Sequence, residues 1–182
     1  MITPETATLV TERLNLRGLL ESDAPRILVI RSSPEVNKYL DRPNDTTIEQ
    51  ALAFIKKIEG IVNSGNGYYW GITQKGEDEL IGTICYWNLQ PAEKKAEIGY
   101  ELNPIYQGLG YMQEAVSAVL EAGFNKLGFE LITACPQEGN QSSLKLLQKK
   151  GFALAGDFTE EETGSKYLDF RLTKADYMAN NP

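Results

Sequence analysis

Histidine is absent from all 182 residues. That excludes His-based nucleophile triads and the usual His-containing zinc sites, and any general base must be Asp, Glu, Tyr, Lys, Cys, a terminus or water. Cysteine is scarce. Cys85 and Cys135 lie in apolar, strand-like runs without metal-type spacing, which reads as two small core residues rather than a disulfide, a zinc pair or a nucleophile. No apolar run approaches the ~18 to 20 residues that span a bilayer, and residues 1–6 carry neither the basic start nor the apolar block of a secretory leader. A cytoplasmic protein with no membrane partner and no metal is expected. Basic residues are in the minority, 18 against 25 acidic for a net charge of −7, so nucleic acid is not an expected partner. The same acidity suits a cationic amine substrate, and it equally serves solubility.

What is present describes a single soluble domain over residues 1–182, since 42% hydrophobic and 24% charged residues suffice for a packed core. Alternation of Leu14 and Leu16 predicts a strand over residues 13–20, with Ser22 or Asp23 capping a helix. A polar turn at residues 44–47 leads into an amphipathic helix with Ile48, Ala51, Leu52, Ile55, Ile58 and Val62 on one face. Strands are then expected over 68–73, 80–88 and 96–102. Their short polar connections make an antiparallel meander. Further along come a helix whose apolar stripe reaches Leu127, a strand over 130–135, a helix over 142–149, and strands over 152–158 and 166–172. The fold class is mixed α/β.

One segment carries chemistry. In Asn103-Pro104-Ile105-Tyr106-Gln107-Gly108-Leu109-Gly110-Tyr111-Met112 a strand breaks into a glycine-rich turn and then a helix. Gly108 and Gly110 allow backbone conformations closed to other residues, and the unpaired amides that open the helix favour a phosphate or diphosphate. The plain alternative is a tight strand-to-helix connection. Gly110 is not followed by the Lys-Ser/Thr pair of a nucleotide-hydrolase loop, and the third glycine of a dinucleotide fingerprint is missing.

The turn resembles the acyl-CoA signature of the GNAT superfamily of N-acetyltransferases, Gln/Arg-x-x-Gly-x-Gly/Ala, matched from Gln107 at all but the last position. Other segments are similar to its RimJ/RimL ribosomal-protein acetyltransferase branch: Thr11-Glu12-Arg13-Leu14-Asn15-Leu16-Arg17, Ile98-Gly99-Tyr100-Glu101-Leu102-Asn103-Pro104, and Asn140-Gln141-Ser142-Ser143 followed by Lys150-Gly151-Phe152. The resemblance implies the GNAT fold, a mostly antiparallel central sheet with a splayed parallel strand pair and flanking helices. It implies acetyl-CoA as co-substrate, held by Leu102, Asn103, Gln107, Gly108, Leu109, Gly110, Tyr111, Met112 and Asn140. The splayed strands would be those ending near Leu102 and Cys135.

Transfer of an acetyl group from a thioester needs a neutral amine and a stabilised leaving thiolate. An α-amine with a pKa of roughly 7.7 to 8.0 takes about 3 to 4 kcal/mol less deprotonation work at pH 7 than a lysine near 10.4. A weak base therefore suffices, and Glu101, on the strand entering the cleft, is the leading candidate, with Glu97 on the same face as the alternative. Many superfamily members place a tyrosine acid seven residues beyond the asparagine. Here that residue is Leu147, which throws weight on Ser143, either as acid or as helix cap. Tyr68, Tyr69 and Trp70 are candidates for the acceptor pocket or for core, and the acidic run Glu160-Glu161-Glu162 for a substrate-facing or a merely solvated loop. The expected reaction is direct acetylation of a primary amine, preferably a protein or peptide N-terminus. A small amine (antibiotic, polyamine or amino-acid derivative) and a non-catalytic CoA-binding module remain the alternatives, with monomer and homodimer both open.

Overall fold

The structure, a computed structural model, describes residues 8–180; residues 1–6, read above for a leader, lie outside them. Its strands are β1 (Leu9–Val10), β2 (Leu14–Arg17), β3 (Tyr68–Gln74), β4 (Leu80–Gln90), β5 (Lys95–Leu102), β6 (Leu131–Ala134), β7 (Ala153–Thr159) and β8 (Lys166–Thr173). The helices are α1 (Ala24–Ser32), α2 (Pro34–Asn37), α3 (Ile48–Asn63), α4 (Tyr111–Glu121), α5 (Gln141–Lys149) and α6 (Lys174–Asn180). The strands form one sheet in the order β1-β2-β3-β4-β5-β6-β8-β7. Every neighbouring pair is antiparallel except β5 and β6, which run parallel.

The parallel pair gives the molecule its cleft. Pairing covers Lys95–Leu131, Ala96–Ile132 and Glu97–Thr133, and β5 then continues to Leu102 without β6 beside it. On its other side β5 stays bonded to β4 as far as Leu102, opposite Gly82. A fork thus opens where one strand is held and its neighbour ends.

The two faces of the sheet are covered unequally. Ala115, Val116, Val119 and Leu120 of α4 are fully buried against Leu14, Leu16, Ile84, Tyr86 and Ile98, which makes the larger core. A smaller core forms on the other side, where Ala24, Ile27 and Ile30 of α1 meet Ala51 and Ile55 of α3 and Leu80 of β4. These helices leave the β4 and β5 positions Thr83, Cys85, Glu97 and Glu101 facing a cavity instead of a helix.

Several elements depart from the sequence expectations for local reasons. The first strand ends at Arg17, because Arg17 turns to Asp23, giving that carboxylate two guanidinium hydrogen bonds of 2.8 and 2.9 Å. Asp23 also accepts from the Leu20 amide at 2.8 Å, so it stabilises the entry turn without capping α1. The α4 stripe still reaches Phe124 and Leu127, which pack on the larger core, but it does so through a wider turn at Ala122–Lys126. There Tyr86 donates its hydroxyl to the Val119 carbonyl (2.9 Å), an acceptor that Gly123 would use in an unbroken α-helix. A Cβ on Gly123 would sit 2.5 Å from that hydroxyl, so the close approach requires glycine. The short elements β1, α2 and α6 carried no periodicity to announce them.

Candidate active site

Two cavities lie on either side of the fork. The first, of about 590 Å³, is lined by the glycine turn, the start of α4, the end of β5 and the start of α5. Gly108 and Gly110 both take left-handed backbone, at φ 74° and 82°. The first bond of α4 runs from the Glu114 amide to the Gly110 carbonyl (3.1 Å), so the amides of Tyr111, Met112 and Gln113 precede any acceptor within the helix. An anion at this mouth meets backbone donors and the positive end of the helix dipole.

Arg13 holds the turn in place, a role that only its position on β2's approach could have suggested. It donates to the Leu109 carbonyl (3.0 Å) and to Glu114 (2.7 Å), and its guanidinium lies 4.6 Å from the Tyr111 ring centre. Glu114 also accepts from the Arg13 amide at 2.8 Å and from Thr11 at 2.5 Å. These hydrogen bonds hold the Glu114 carboxyl below its usual range even though desolvation, the largest single influence, pushes the other way. The turn is therefore pinned to the edge of the sheet by a carboxylate in the first turn of α4.

Most of the anticipated residues reach this cavity. Leu102, Gln107, Gly108, Gly110, Tyr111, Met112 and Asn140 all line it. Leu109 and Asn103 do not. Leu109 points to solvent while its carbonyl accepts Arg13, and Asn103 is buried with its amide on the Ile81 carbonyl (2.9 Å) and its side chain receiving the Ile105 amide (3.3 Å). Gln107 spends its side-chain amide on the Leu102 carbonyl (3.1 Å), which ties the turn back to the end of β5.

Tyr39, Leu40, Tyr100, Glu101, Asn140 and Ser143 line both cavities and so mark where they meet. Asn140 is the cap of α5: its side-chain oxygen accepts from the Ser143 amide (3.2 Å) and the Ser142 hydroxyl (3.0 Å). Ser143 is thereby relieved of capping. Its hydroxyl instead lies 2.7 Å from that of Tyr100, a residue that the sequence patterns did not single out. Glu101 is gripped by Arg42 through both carboxylate oxygens, at 2.5 and 3.0 Å. Leu147 is fully buried and takes no part in the cleft.

The second cavity, of about 640 Å³, is built from side chains. Its floor includes Tyr69, Thr83, Cys85, Trp87, Glu97 and Glu101; one wall comes from Arg31, Phe54 and the segment at residues 39–42, the other from Cys135, Phe158, Glu160 and Tyr167. Tyr69 faces it and bonds Thr83 (3.0 Å), whereas Trp70 is core and Tyr68 packs against core. Both cysteines are free and stand on the cavity wall, not in the core as their apolar neighbours implied; the strand alternation puts Cys85 on the face that α1 and α3 leave uncovered. Burial is the main influence pushing both thiols up to about 12.

Carboxylates here meet unequal company. Burial raises the pKa of Glu97 above the usual glutamate range, and its hydrogen-bond partners, Asn88 (3.3 Å) and Cys135, are uncharged. Asp41 accepts from Tyr167 (2.7 Å), Thr163 (2.9 Å), Gln137 (3.1 Å) and Ser165 (3.2 Å), which lowers its pKa. It thereby straps residues 38–46 to the β7–β8 loop across the cavity. Among the described residues no group of three His, Cys, Asp or Glu side chains is placed to hold a metal ion, and no helix is long and apolar enough to cross a membrane.

Comparison with known proteins agrees with this architecture. Residues 13–153 match the acetyltransferase (GNAT) domain model. The chain is 37% identical over 148 residues to YoaA of Bacillus subtilis (strain 168), an uncharacterized N-acetyltransferase, covering 81% of this chain and 84% of that protein. It is 28% identical over 158 residues to the ribosomal-protein-serine acetyltransferase of Escherichia coli (strain K12), covering 84% and 86%. The solved structure of RimL, a ribosomal L7/L12 alpha-N-protein acetyltransferase in complex with coenzyme A, superposes with a TM-score of 0.82 at 22% identity, covering 91% of this chain and 97% of that one.

Proposed function

Because the chain belongs to the GNAT acetyltransferase family, whose members use acetyl-CoA, we propose that it acetylates a primary amine directly, with a protein or peptide N-terminal α-amine as preferred acceptor. The observation that carries this reading is the meeting of two cavities at the β5–β6 fork, one offering backbone donors and the other carboxylates. Acetyl-CoA supplies the activated acetyl group. The amides from Gly108 to Gln113 would hold its diphosphate, and Leu102 and Asn140 would border the pantetheine arm. Ser143, at the junction, would face the sulfur. Leu109 and Asn103 would contribute by shaping the turn, given where their own groups are already spent.

For the amine, Glu101 borders the meeting point, but both of its carboxylate oxygens are occupied by Arg42. Glu97, with a raised pKa and uncharged hydrogen-bond partners among the described residues, is the better-suited acceptor of the proton, relayed through cavity water. An α-amine asks little of such a base. A cytoplasmic site of action fits a ribosomal-protein or nascent-peptide acceptor.

A second reading, a small amine, is favoured by the Asp41 strap, which encloses the acceptor side at a volume within the ~300 to 1,000 Å³ common for small-molecule sites. Incubation with acetyl-CoA and panels of peptides and small amines, followed by thiol release and product mass, separates the two. Fastest turnover on peptides with free N-termini, lost when the terminus is blocked, is expected. Turnover confined to small amines would establish the second reading; CoA binding without turnover on any acceptor would reduce the protein to a binding module.

A further inference from the structure

The helix position from which related enzymes donate a proton is filled by buried Leu147, and the only hydroxyls described at the meeting of the two cavities on α5 and β5 are Ser143 and Tyr100. Tyr100 lies beyond Glu97, the last β5 residue paired to β6, so its phenol projects where the strands have parted. Its ring packs against the large core, which fixes the direction of the O–H. With Asn140 serving as the cap, Ser143 has no hydroxyl partner among the described residues other than Tyr100, at 2.7 Å.

Resting on the acetyl-transfer reading above, we infer that Tyr100 is a positioning residue for departure of the thiolate, donating to Ser143 Oγ so that the Ser143 O–H points at the leaving sulfur. Either hydroxyl can donate across the 2.7 Å contact, and a phenol, the stronger donor of the two, favours this direction. As the amine nitrogen bonds the acetyl carbon, the carbon–sulfur bond breaks and its electron pair passes to sulfur. The Ser143 O–H hydrogen-bonds that growing charge while Tyr100 polarises it. Burial pushes the Tyr100 hydroxyl up to about 12, against a free thiol near 8.5, so proton transfer from this pair to the thiolate runs uphill. The pair solvates the thiolate. Water later supplies the thiol proton, and the one released by the amine passes through cavity water to Glu97.

Single-turnover rates on the full chain test this without interference from product release. With acetyl-CoA, Tyr100→Phe is expected to slow transfer about tenfold with an unchanged calorimetric Kd for CoA, Ser143→Ala to slow it further, and the double variant to match Ser143→Ala. With the seleno ester of CoA, whose selenolate is a weaker base, the Tyr100→Phe deficit should shrink to about twofold. Incorporation of 3-fluorotyrosine at position 100 keeps the fold and the O–H while making it more acidic, and should quicken transfer. Deficits that multiply in the double variant, or are equal for both esters, would overturn the inference, as would slower transfer with fluorotyrosine. Inactivity of the unmodified chain toward every amine would instead sink the acetyl-transfer reading itself, and this inference with it.

Discussion

The two cavities are made of different materials. On the donor side the contacts offered to a ligand are mainly backbone: left-handed glycines, helix amides, and the end of a strand, fastened by Arg13 and Glu114. On the acceptor side they are side chains brought together from α1, α3, α5, β3 to β8 and the loops beside them. A backbone site tolerates changes of side chain so long as its glycines remain, and can serve a constant ligand. A side-chain site can be altered residue by residue, and can serve a changing one.

The comparison breaks most visibly at Gly110. Valine there would be held at a φ of 82°, with its Cβ 3.3 Å from an Arg13 nitrogen, and a strained β-branched residue costs about 2 kcal/mol. If the turn relaxes in the free chain and must be restored to this conformation on binding, calorimetry should show CoA affinity weakened roughly 30-fold, with thermal unfolding lowered by only a few degrees; unaltered affinity would refute a backbone-built donor site. The counterpart on the acceptor side is Arg42→Ala, which strips Glu101 of its partner. Acceptor kcat/KM should fall about tenfold while CoA affinity stays constant, and a matching loss of CoA affinity would show that the sides are not separable.

A smaller effect concerns Glu97. Its carboxyl is raised by burial, so the folded chain keeps this proton to higher pH than the unfolded chain does. Stability must therefore decline as pH rises from the ordinary glutamate value through the raised one. Glu97→Gln should give a higher Tm than the unmodified chain above that window, the two converging below it. The acid limb of kcat/KM, where activity falls as Glu97 gains its proton, should disappear in the same variant if Glu97 takes the amine's proton. Smallest is the response of the thiols: with Cys85 and Cys135 at about 12, only about one in 10⁴ is thiolate at pH 8, and alkylation should be far slower than for a free cysteine. Rapid labelling would contradict their burial on the acceptor wall.

The same contrast explains what could be read in advance. The donor turn is local, so Gly108, Gly110 and the stripe of α4 were legible as a contiguous motif, and a strand was expected over 96–102, where β5 lies. Arg13 was not, because it reaches its partners Leu109 and Glu114 across about a hundred residues of chain. Nor was the Arg42–Glu101 pair, which depends on how the segment at residues 38–46 meets β5, or the Tyr100–Ser143 contact, which depends on how β5 and α5 meet. The cysteines misled for a related reason. Apolar neighbours mark a strand as half buried but do not say which of its faces a helix will cover, and here α1 and α3 stop short of Cys85.

The central claim is that the ligand's diphosphate is gripped at the mouth of α4 and its sulfur lies at the fork. A crystal structure with CoA bound tests it most directly. The diphosphate oxygens should lie within hydrogen-bonding distance of the amides between Gly108 and Gln113, and the sulfur beside Ser143. CoA bound elsewhere, with that mouth left vacant, would contradict the account.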